Sequence, residues 1–343
     1  MDYRTLGTSG TVVSELALGT MTFGAEADET DSHAILDAFV EAGGTFVDTA
    51  DVYSRGASES IIGRWLASHP GSRDRVVIAT KGRFPMGAGP NDLGLSRTHL
   101  RQALEGSLRR LGVDHIDLYQ MHAWDAVTPI DETLRFLDDA VSSGSIGYYG
   151  FSNYLGWQLT KAASVAQSHG WAPPVTLQPQ YSLLVRGIEH EVVPAALDAG
   201  LGLLPWSPLA GGWLSGKYVR DQAPTGATRL GENPKRGMEA WDARNADPRT
   251  WDVIDAVAQV AGAHGVSSAQ VALAWLLTRP AVTSVILGAR TVDQLADNLG
   301  AGSVALSDDE VRMLDEVSTP RTEDYPYGAP AIEQRTRKLT GGR

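Results

Sequence analysis

Cysteine is absent from this chain of 343 residues, and its absence removes several kinds of chemistry. Disulfide bonds, thiolate nucleophiles, iron–sulfur clusters and cysteine zinc sites are all excluded. The eight histidines form no His-Glu-x-x-His pattern or other close ligand pair, so we expect no metal site. A Gly-x-Ser-x-Gly nucleophile elbow is also missing, which disfavours a serine hydrolase.

Positive charge and long apolar runs are scarce as well. The 29 lysines and arginines are outnumbered by 41 aspartates and glutamates, which gives a net charge of −12. This balance disfavours binding to a nucleic-acid backbone. No apolar run approaches the roughly 20 residues of a membrane span, and the N-terminus lacks the apolar core of a signal peptide. We therefore expect a soluble, cytoplasmic protein without a nucleic-acid or membrane partner.

The chain alternates short apolar runs with amphipathic stretches. Continuous apolar runs are typical of strands that are buried on both faces of a parallel sheet. The predicted strands are Leu16–Thr20, Thr45–Ala50, Val76–Lys81, Ile116–His122, Ile146–Ser152, Val175–Gln180, Gly202–Ser207 and Thr283–Gly288. The clearest predicted helices are Asp31–Ala42, Arg97–Leu111, Ser267–Leu277 and Val311–Val317.

Eight strand–helix repeats predict a (β/α)8 TIM barrel in a single domain, 1–343. A doubly wound sheet is the alternative, but no Gly-x-Gly-x-x-Gly follows the first strand. Residues 1–15 are typical of an N-terminal β-hairpin, and 319–343 form a C-terminal tail. Long loops follow strand three (82–95) and strand seven (209–249). Both leave the C-terminal ends of strands, the face on which barrel active sites lie.

Polar side chains stand at or just after three consecutive predicted strands. Asp48 and Tyr53 follow strand two, Lys81 ends strand three and His122 ends strand four. Each alone has an ordinary structural explanation, such as a turn cap, a rim aromatic, a solvated charge or a core histidine. Together, at one barrel mouth, they favour a shared chemical role.

These four side chains suit the protonation of a carbonyl oxygen. A tyrosine with a pKa of about 10 is a poor acid at neutral pH. A nearby lysine ammonium stabilises the tyrosinate and is expected to lower that pKa. An aspartate keeps the lysine charged and oriented, and a histidine orients and polarises the carbonyl.

Seven stretches of the sequence resemble the aldo-keto reductase superfamily. They are VDTADVYSRGASESIIGRWL, ATKGR, IDLYQMHAWD, GYYGFSNY, LQPQYSLL, LLPWSPLAGGWLSGKY and VILGARTVDQLADN. The resemblance implies a (β/α)8 barrel and NADPH-dependent carbonyl reduction by a tetrad of Asp48, Tyr53, Lys81 and His122, with Tyr53 as acid/base. The long-loop branch that includes potassium-channel β subunits is the most similar.

The resemblance also implies a cofactor site. Ser152, Asn153 and Gln178 would hold the nicotinamide carboxamide, with loop capping as the structural alternative. Trp206 would stack on the nicotinamide, unless it is a core aromatic. The pyrophosphate would lie on the segment from Ser207 to Lys217. Within it, residues 211–217 have the glycine and lysine spacing of a P-loop, but Tyr218 replaces the Ser/Thr that would hold Mg²⁺, which excludes ATP hydrolysis. The other cofactor residues are Thr20, Met21, Asp48, Pro208, Leu209 and Gly211.

The segment after the last strand is expected to bind the adenosine 2′-phosphate and adenine through Gly288, Arg290, Gln294 and Asn298. A guanidinium such as that of Arg290 suits a dianionic phosphate. Other branches of the family have lysine where Gly288 stands and arginine where Gln294 stands. NADPH is therefore the expected cofactor, and NAD(H) stays open as the alternative.

The expected substrate is a small-molecule aldehyde or ketone, and the sequence does not select which one. The candidate substrate residues are Met21, Phe23, Tyr53, Phe84, His122, Trp124 and the region 213–241, although Trp124, Trp213 and Trp241 would equally suit core or rim packing. A cofactor-binding regulatory subunit that senses redox state is the rival function. Some relatives of that kind lack the tetrad histidine, so His122 favours an enzyme. The sequence does not decide whether the protein forms a homo-oligomer.

Overall fold

A β-hairpin at the N-terminus packs against the N-terminal ends of the inner parallel strands. β1 (Tyr3–Thr5) pairs antiparallel with β2 (Val12–Ser14), which confirms the predicted hairpin. In the turn, Gly7 has a left-handed φ of 59°, and a Cβ there would lie 2.1 Å from the carbonyl oxygen of Val175. Only glycine fits such a position without displacing the backbone. The hairpin therefore covers the N-terminal ends of the neighbouring inner strands.

Eight parallel strands form a closed (β/α)8 barrel in the computed structural model. The amide of Leu203 donates to the carbonyl of Ala281 (2.7 Å), and the amide of Ile286 donates to the carbonyl of Pro205 (3.0 Å), so the two edges of the sheet join. The predicted fold is confirmed. In spatial order the strands are β10 (Val285–Gly288), β3 (Leu16–Gly19), β4 (Phe46–Asp48), β5 (Val77–Gly82), β6 (Ile116–Met121), β7 (Ile146–Ser152), β8 (Thr176–Gln178) and β9 (Gly202–Leu203).

The structure describes residues 1–226, 228–235, 239–320 and 327. Most of the predicted tail, 319–343, and residues 227 and 236–238 of the long loop after the seventh barrel strand lie outside this part. The helices are α1 (Glu29–Glu41), α2 (Ala57–Ser68), α3 (Arg97–Leu111), α4 (Ile130–Ser142), α5 (Gly156–His169), α6 (Val192–Asp198), α7 (Arg229–Glu232), α8 (Trp241–Ala246), α9 (Pro248–His264), α10 (Ser268–Leu277), α11 (Val292–Leu299) and α12 (Asp308–Ser318).

The helix ends follow from local chemistry. The Ser96 hydroxyl accepts a hydrogen bond from the amide of His99, and Gly112 ends α3 with a left-handed φ of 67°. Ser307 and Glu310 form the predicted capping box of α12. Among the described residues, no single helix has the length and apolar character to cross a membrane. α9 and α10 reach that threshold only as a pair, bent by 98°.

The inner face of the barrel changes from apolar to polar along the strands. Strand residues two apart share a face. Near the N-terminal end this face carries a buried apolar layer of Ala17, Phe46, Ala79, Leu118, Leu204 and Ile286. Two positions further along, β4, β5 and β6 carry Asp48, Lys81 and Gln120, all almost fully buried. The apolar layer thus supports a polar layer that faces the C-terminal mouth.

Candidate active site

Lys81 is the centre of the polar layer. Its Nζ donates to Asp48 Oδ2 at 2.6 Å, to the Thr49 carbonyl at 2.8 Å and to the Tyr53 hydroxyl at 3.3 Å. The lysine side chain is 0% exposed. Burial opposes its charge, but the Asp48 carboxylate and the Tyr53 hydroxyl outweigh that effect and raise the pKa of Lys81. The ammonium is therefore retained at neutral pH.

A strained turn brings Tyr53 back over Lys81. The chain leaves β4 and forms a short 3₁₀ turn, Tyr53–Gly56, in which Ser54 and Arg55 have left-handed φ values of 49° and 54°. Residues with a side chain rarely adopt this conformation, and it costs on the order of 1–3 kcal/mol per residue. The Ser54 hydroxyl holds the turn by donating to the carbonyl of Phe23 at 2.9 Å.

The electrostatics of Tyr53 correct one sequence-based expectation. Burial raises the pKa of Tyr53, and the Lys81 ammonium opposes that rise without overcoming it. The net pKa lies above its ordinary value rather than below it, because the loss of hydration disfavours the phenolate more than the ammonium favours it. Tyr53 therefore holds its proton at neutral pH, as a proton donor must.

His122 lies against Tyr53 as a neutral imidazole. The two rings meet edge to face with centroids 6.0 Å apart, and the Phe84 ring lies 4.6 Å from the imidazole. Burial, with the charges of Lys81 and Arg83, lowers the pKa of His122 to about 2. Its Nδ1 is buried without a hydrogen-bond partner among the described residues. A neutral imidazole here has an N–H that can be donated to a carbonyl oxygen.

Gln120 belongs to the same network, although the sequence analysis did not single it out. Its Nε2 donates to Asp48 Oδ1 at 3.2 Å, and Gln178 Nε2 donates to the same oxygen at 2.9 Å. Because a carboxylate only accepts hydrogen bonds, both amide nitrogens must face Asp48. The side-chain oxygen of Gln178, Oε1, accepts no hydrogen bond from the described residues. Gln120 could have been found from its spacing, two residues beyond the inward-facing Leu118.

Replacing Gln120 with methionine should destabilise the protein by about 1–3 kcal/mol, because buried Asp48 Oδ1 loses a donor. The measurement is the free energy of unfolding in urea. The matched control is Gln102→Met, since Gln102 is exposed on α3 and should tolerate the change. Equal stability of the two variants would show that Gln120 does not support the Asp48 carboxylate.

Asp51 is a buried carboxyl group beside the tetrad. Its amide donates to the Lys81 carbonyl at 3.1 Å, and neither carboxyl oxygen has a hydrogen-bond partner among the described residues. Burial, reinforced by the nearby Glu59, raises the pKa of Asp51 to about 7. The folded protein therefore holds this proton more tightly than the unfolded chain does.

We expect Asp51 to make stability depend on pH. Because its folded pKa is raised, its contribution is fully present below the unfolded pKa and is lost as pH rises through about 7. Asp51→Asn should remove this loss and be more stable than the wild type at pH 8 by a few kcal/mol, but not at pH 4. Urea unfolding of both proteins across this range is the test. Parallel pH profiles would contradict the assignment.

The predicted nicotinamide ligands gather beside His122. Asn153 Nδ2 donates to the His122 carbonyl and to Ser152 Oγ, both at 3.0 Å. The Trp206 indole donates to Asn153 Oδ1 at 3.0 Å, and Ser152 Oγ donates to the Gln178 carbonyl at 2.9 Å. Trp206 is partly exposed and is therefore not an interior core aromatic.

The segment predicted to hold the pyrophosphate folds as a series of tight turns. Ser207, Ala210, Gly211 and Gly212 have left-handed φ values between 49° and 98°. The Gly211 amide donates to Ser207 Oγ at 3.3 Å. A Cβ on Gly212 would lie 2.5 Å from Lys217 Nζ, so glycine lets the lysine lie close to the backbone. Pro208 is buried and Leu209 is partly buried beside these turns.

The predicted adenosine ligands also come together. The Arg290 amide donates to Gln294 Oε1 at 3.0 Å, and Asn298 Nδ2 donates to the Gly288 carbonyl at 3.5 Å. The Arg290 guanidinium lies 3.4 Å from the Glu232 carboxylate and 3.7 Å from that of Glu26. The space beside Gly288 is open.

The remaining candidates divide between the mouth and the core. Met21 is exposed, while Phe84 and Trp124 are partly buried. Thr20 is buried, and its hydroxyl donates to the Asp48 carbonyl at 3.0 Å. Phe23 is fully buried, and its carbonyl accepts the hydrogen bond from the Ser54 hydroxyl in the Tyr53 turn. Core packing explains Trp213 and Trp241, because both are buried and their rings stack at 5.0 Å.

No group of three or more histidine, aspartate or glutamate side chains in the described part of the chain is arranged to hold a metal ion. Within this part, the chemistry available at the mouth is that of a proton donor, a buried ammonium and a neutral imidazole. This set can bind a carbonyl oxygen and protonate it.

Comparison with known proteins finds similarity over nearly the whole chain. The model of the aldo/keto reductase family matches residues 15–319. An uncharacterized oxidoreductase of Bacillus subtilis, YrpG, is 42% identical over 92% of this chain and 96% of its own length. A probable voltage-gated potassium channel subunit beta of Oryza sativa is 39% identical over 95% and 100%. The versiconal hemiacetal acetate reductase of Aspergillus parasiticus is 33% identical over 94% and 98%.

Proposed function

Because the chain belongs to the aldo/keto reductase family, we propose that it reduces aldehydes or ketones to alcohols with NADPH. The observation that carries this proposal is the contact of the Tyr53 hydroxyl with buried Lys81 Nζ at 3.3 Å, beside the neutral His122. Relatives that are named as oxidoreductases or reductases support the same reaction class.

The residues at the barrel mouth fit a nicotinamide cofactor. The side-chain oxygen of Gln178 is available to accept a hydrogen bond from the nicotinamide carboxamide, and the partly exposed Trp206 offers a ring for stacking. The left-handed turns from Ser207 to Gly212, with Lys217 lying close to the Gly212 backbone, have the kind of backbone conformation that forms anion-binding nests. Arg290 supplies the cation for a 2′-phosphate.

When bound, NADPH supplies the hydride that adds to the carbonyl carbon. Tyr53 gives its proton to the carbonyl oxygen, so that the carbonyl becomes an alcohol and Tyr53 becomes a phenolate. The Lys81 ammonium stabilises that phenolate, and the Asp48 carboxylate keeps the lysine charged and in place. The His122 N–H orients the carbonyl. Tyr53 is partly exposed, so it recovers a proton from solvent at the mouth.

A turnover screen tests this function. The protein is mixed with NADPH or NADH and a panel of aromatic, aliphatic and sugar-derived carbonyl compounds, and cofactor oxidation is compared with alcohol formation. We expect one alcohol per cofactor oxidised and a lower KM for NADPH than for NADH. Arg290→Ala should raise the KM for NADPH and leave that for NADH nearly unchanged. The absence of turnover with every compound would refute the proposal.

A regulatory subunit that senses the cofactor's redox state is the second candidate. The observation favouring it is the similarity to the potassium-channel subunits of Oryza sativa and Arabidopsis thaliana, each over 95% of this chain. The complete set of Asp48, Tyr53, Lys81 and His122 favours turnover instead. Tight NADPH binding without consumption across the panel would support the regulatory function.

A further inference from the structure

Arg83 lies at the barrel mouth, next to the residues proposed to bind the carbonyl. It directly follows β5, whose last residue is Gly82. Its guanidinium carbon lies 5.0 Å from the centre of the Phe84 ring, and the same ring lies 4.6 Å from the His122 imidazole. One aromatic ring therefore contacts both the guanidinium and the histidine.

The Arg83 guanidinium has no anionic partner within the described part of the chain. Its hydrogen bond there is from Nη2 to the Trp124 carbonyl at 3.3 Å, while Nε is buried and has no acceptor. Arg110 shows the usual arrangement, in which Nε donates to a carboxylate oxygen of Glu59 at 2.7 Å. Because Nε is buried, the donor open to a ligand is Nη1, which makes no hydrogen bond within the described residues. An anionic ligand at the mouth would supply the missing acceptor.

The nearby Asp125 does not serve as that acceptor. Its carboxylate accepts from the amides of Leu95 and Val127 and from the Thr128 hydroxyl, at distances of 2.7 to 3.0 Å. These bonds hold the carboxylate on its own loop. The contacts with Phe84 and Trp124 therefore fix the orientation of the Arg83 side chain.

The backbone at Arg83 is strained. Its φ is 149°, a value that residues with a side chain rarely adopt, and its carbonyl is held by the Gly94 amide at 2.8 Å. Strain of this kind is concentrated at ligand sites, where the surrounding structure fixes a side chain in a useful position. The strained backbone and the unused donor are independent observations at one residue.

We propose that Arg83 binds an anionic group, a carboxylate or a phosphate, that is carried by the carbonyl substrate. This inference rests on the proposed function and narrows its substrate class. Because Arg83 and His122 both contact the Phe84 ring, the anion would lie close to the reacting carbonyl, which suits a short oxo acid or a phosphorylated aldehyde. A guanidinium recognises either group through paired N–H donors.

The test compares matched substrates. Succinic semialdehyde is paired with its methyl ester, and glyceraldehyde phosphate is paired with glyceraldehyde. For at least one pair, the wild type should favour the anionic member by about 10- to 100-fold in kcat/KM, mainly through KM. Arg83→Gln should abolish that ratio, and Arg83→Lys should keep part of it. The pair that shows the effect identifies carboxylate or phosphate.

Two controls separate binding of the anion from other effects. Arg64→Gln removes a charge from the exposed face of α2, where Arg64 pairs with Glu29, and should leave the ratio unchanged. The NADPH dissociation constant of Arg83→Gln should equal that of the wild type. Equal ratios in the wild type and Arg83→Gln, or weakened NADPH binding in that variant, would overturn the assignment while leaving carbonyl reduction intact. If neither member of any pair nor any other carbonyl compound is reduced, the proposed function itself fails.

Discussion

Tyr53→Phe should lower kcat for carbonyl reduction by about 10²- to 10⁴-fold. The substitution removes only the hydroxyl that contacts Lys81 Nζ, so the developing alkoxide loses its proton donor. Hydride addition to a carbonyl that Tyr53 cannot protonate leaves an alkoxide without a positioned proton donor. Steady-state and single-turnover reduction of the best substrate would measure the loss.

Cofactor binding provides the control for this variant. Phenylalanine keeps the aromatic ring beside His122, so the NADPH dissociation constant should stay close to that of the wild type. The thermal unfolding midpoint should also change little. A Tyr53→Phe protein that retains wild-type kcat would exclude Tyr53 as the proton donor, whatever its family membership.

Lys81→Met is expected to damage both activity and stability. The ammonium and the Asp48 carboxylate form a buried pair at 2.6 Å, and removing one partner leaves the other as an unpaired buried charge. Such a change costs about 3–5 kcal/mol. The phenolate formed at Tyr53 would also lose its stabilising cation, so kcat should fall as well. Urea unfolding and substrate reduction measure the two effects separately.

The double variant Asp48→Asn/Lys81→Met separates the two roles of the pair. With both charges removed, most of the lost stability should return, because no unpaired charge remains buried. Activity should stay low, because no ammonium faces Tyr53. Recovery of activity together with stability would mean that Lys81 acts only as a structural partner of Asp48.

The elements that the sequence predicted best are those with strong local signals. Strand β7 has the predicted bounds, Ile146–Ser152, and α3 has the predicted bounds, Arg97–Leu111. Ser96 and Gly112 supply start and stop chemistry that does not depend on the rest of the fold. By contrast, β9 ends at Leu203 rather than Ser207, because Pro205 has no N–H for regular sheet pairing.

The positions of the four tetrad side chains could be predicted because strand ends converge in a barrel. The direction of the shift in the pKa of Tyr53 could not be predicted from the sequence. The sequence indicates that a lysine lowers a neighbouring phenol's pKa, but the opposing effect of burial depends on how the strained turn places the ring. The roles of Trp213 and Trp241 also depended on packing, since a tryptophan in a long loop suits either a binding wall or a core.

Strand periodicity alone is enough to predict that Gln120 belongs to the polar layer. Leu118 and Gln120 share the inner face of β6, and the polar residue lies on the mouth side of the apolar one. The same step of two residues leads from Phe46 to Asp48 and from Ala79 to Lys81. Arg83 left no such signal, because its significance comes from a missing acceptor and an unusual φ.

The coupling between Lys81 and Tyr53 is tested most directly by titrating Tyr53 itself. The ultraviolet difference between each protein and its Tyr53→Phe counterpart isolates this one phenol. In the wild type, we expect the pKa of Tyr53 to lie above its ordinary value of 10.0, because burial outweighs the ammonium. In the Asp48→Asn/Lys81→Met background it should rise further, since the ammonium's effect exceeds that of the carboxylate. An unchanged or lower Tyr53 pKa in that background would contradict the account.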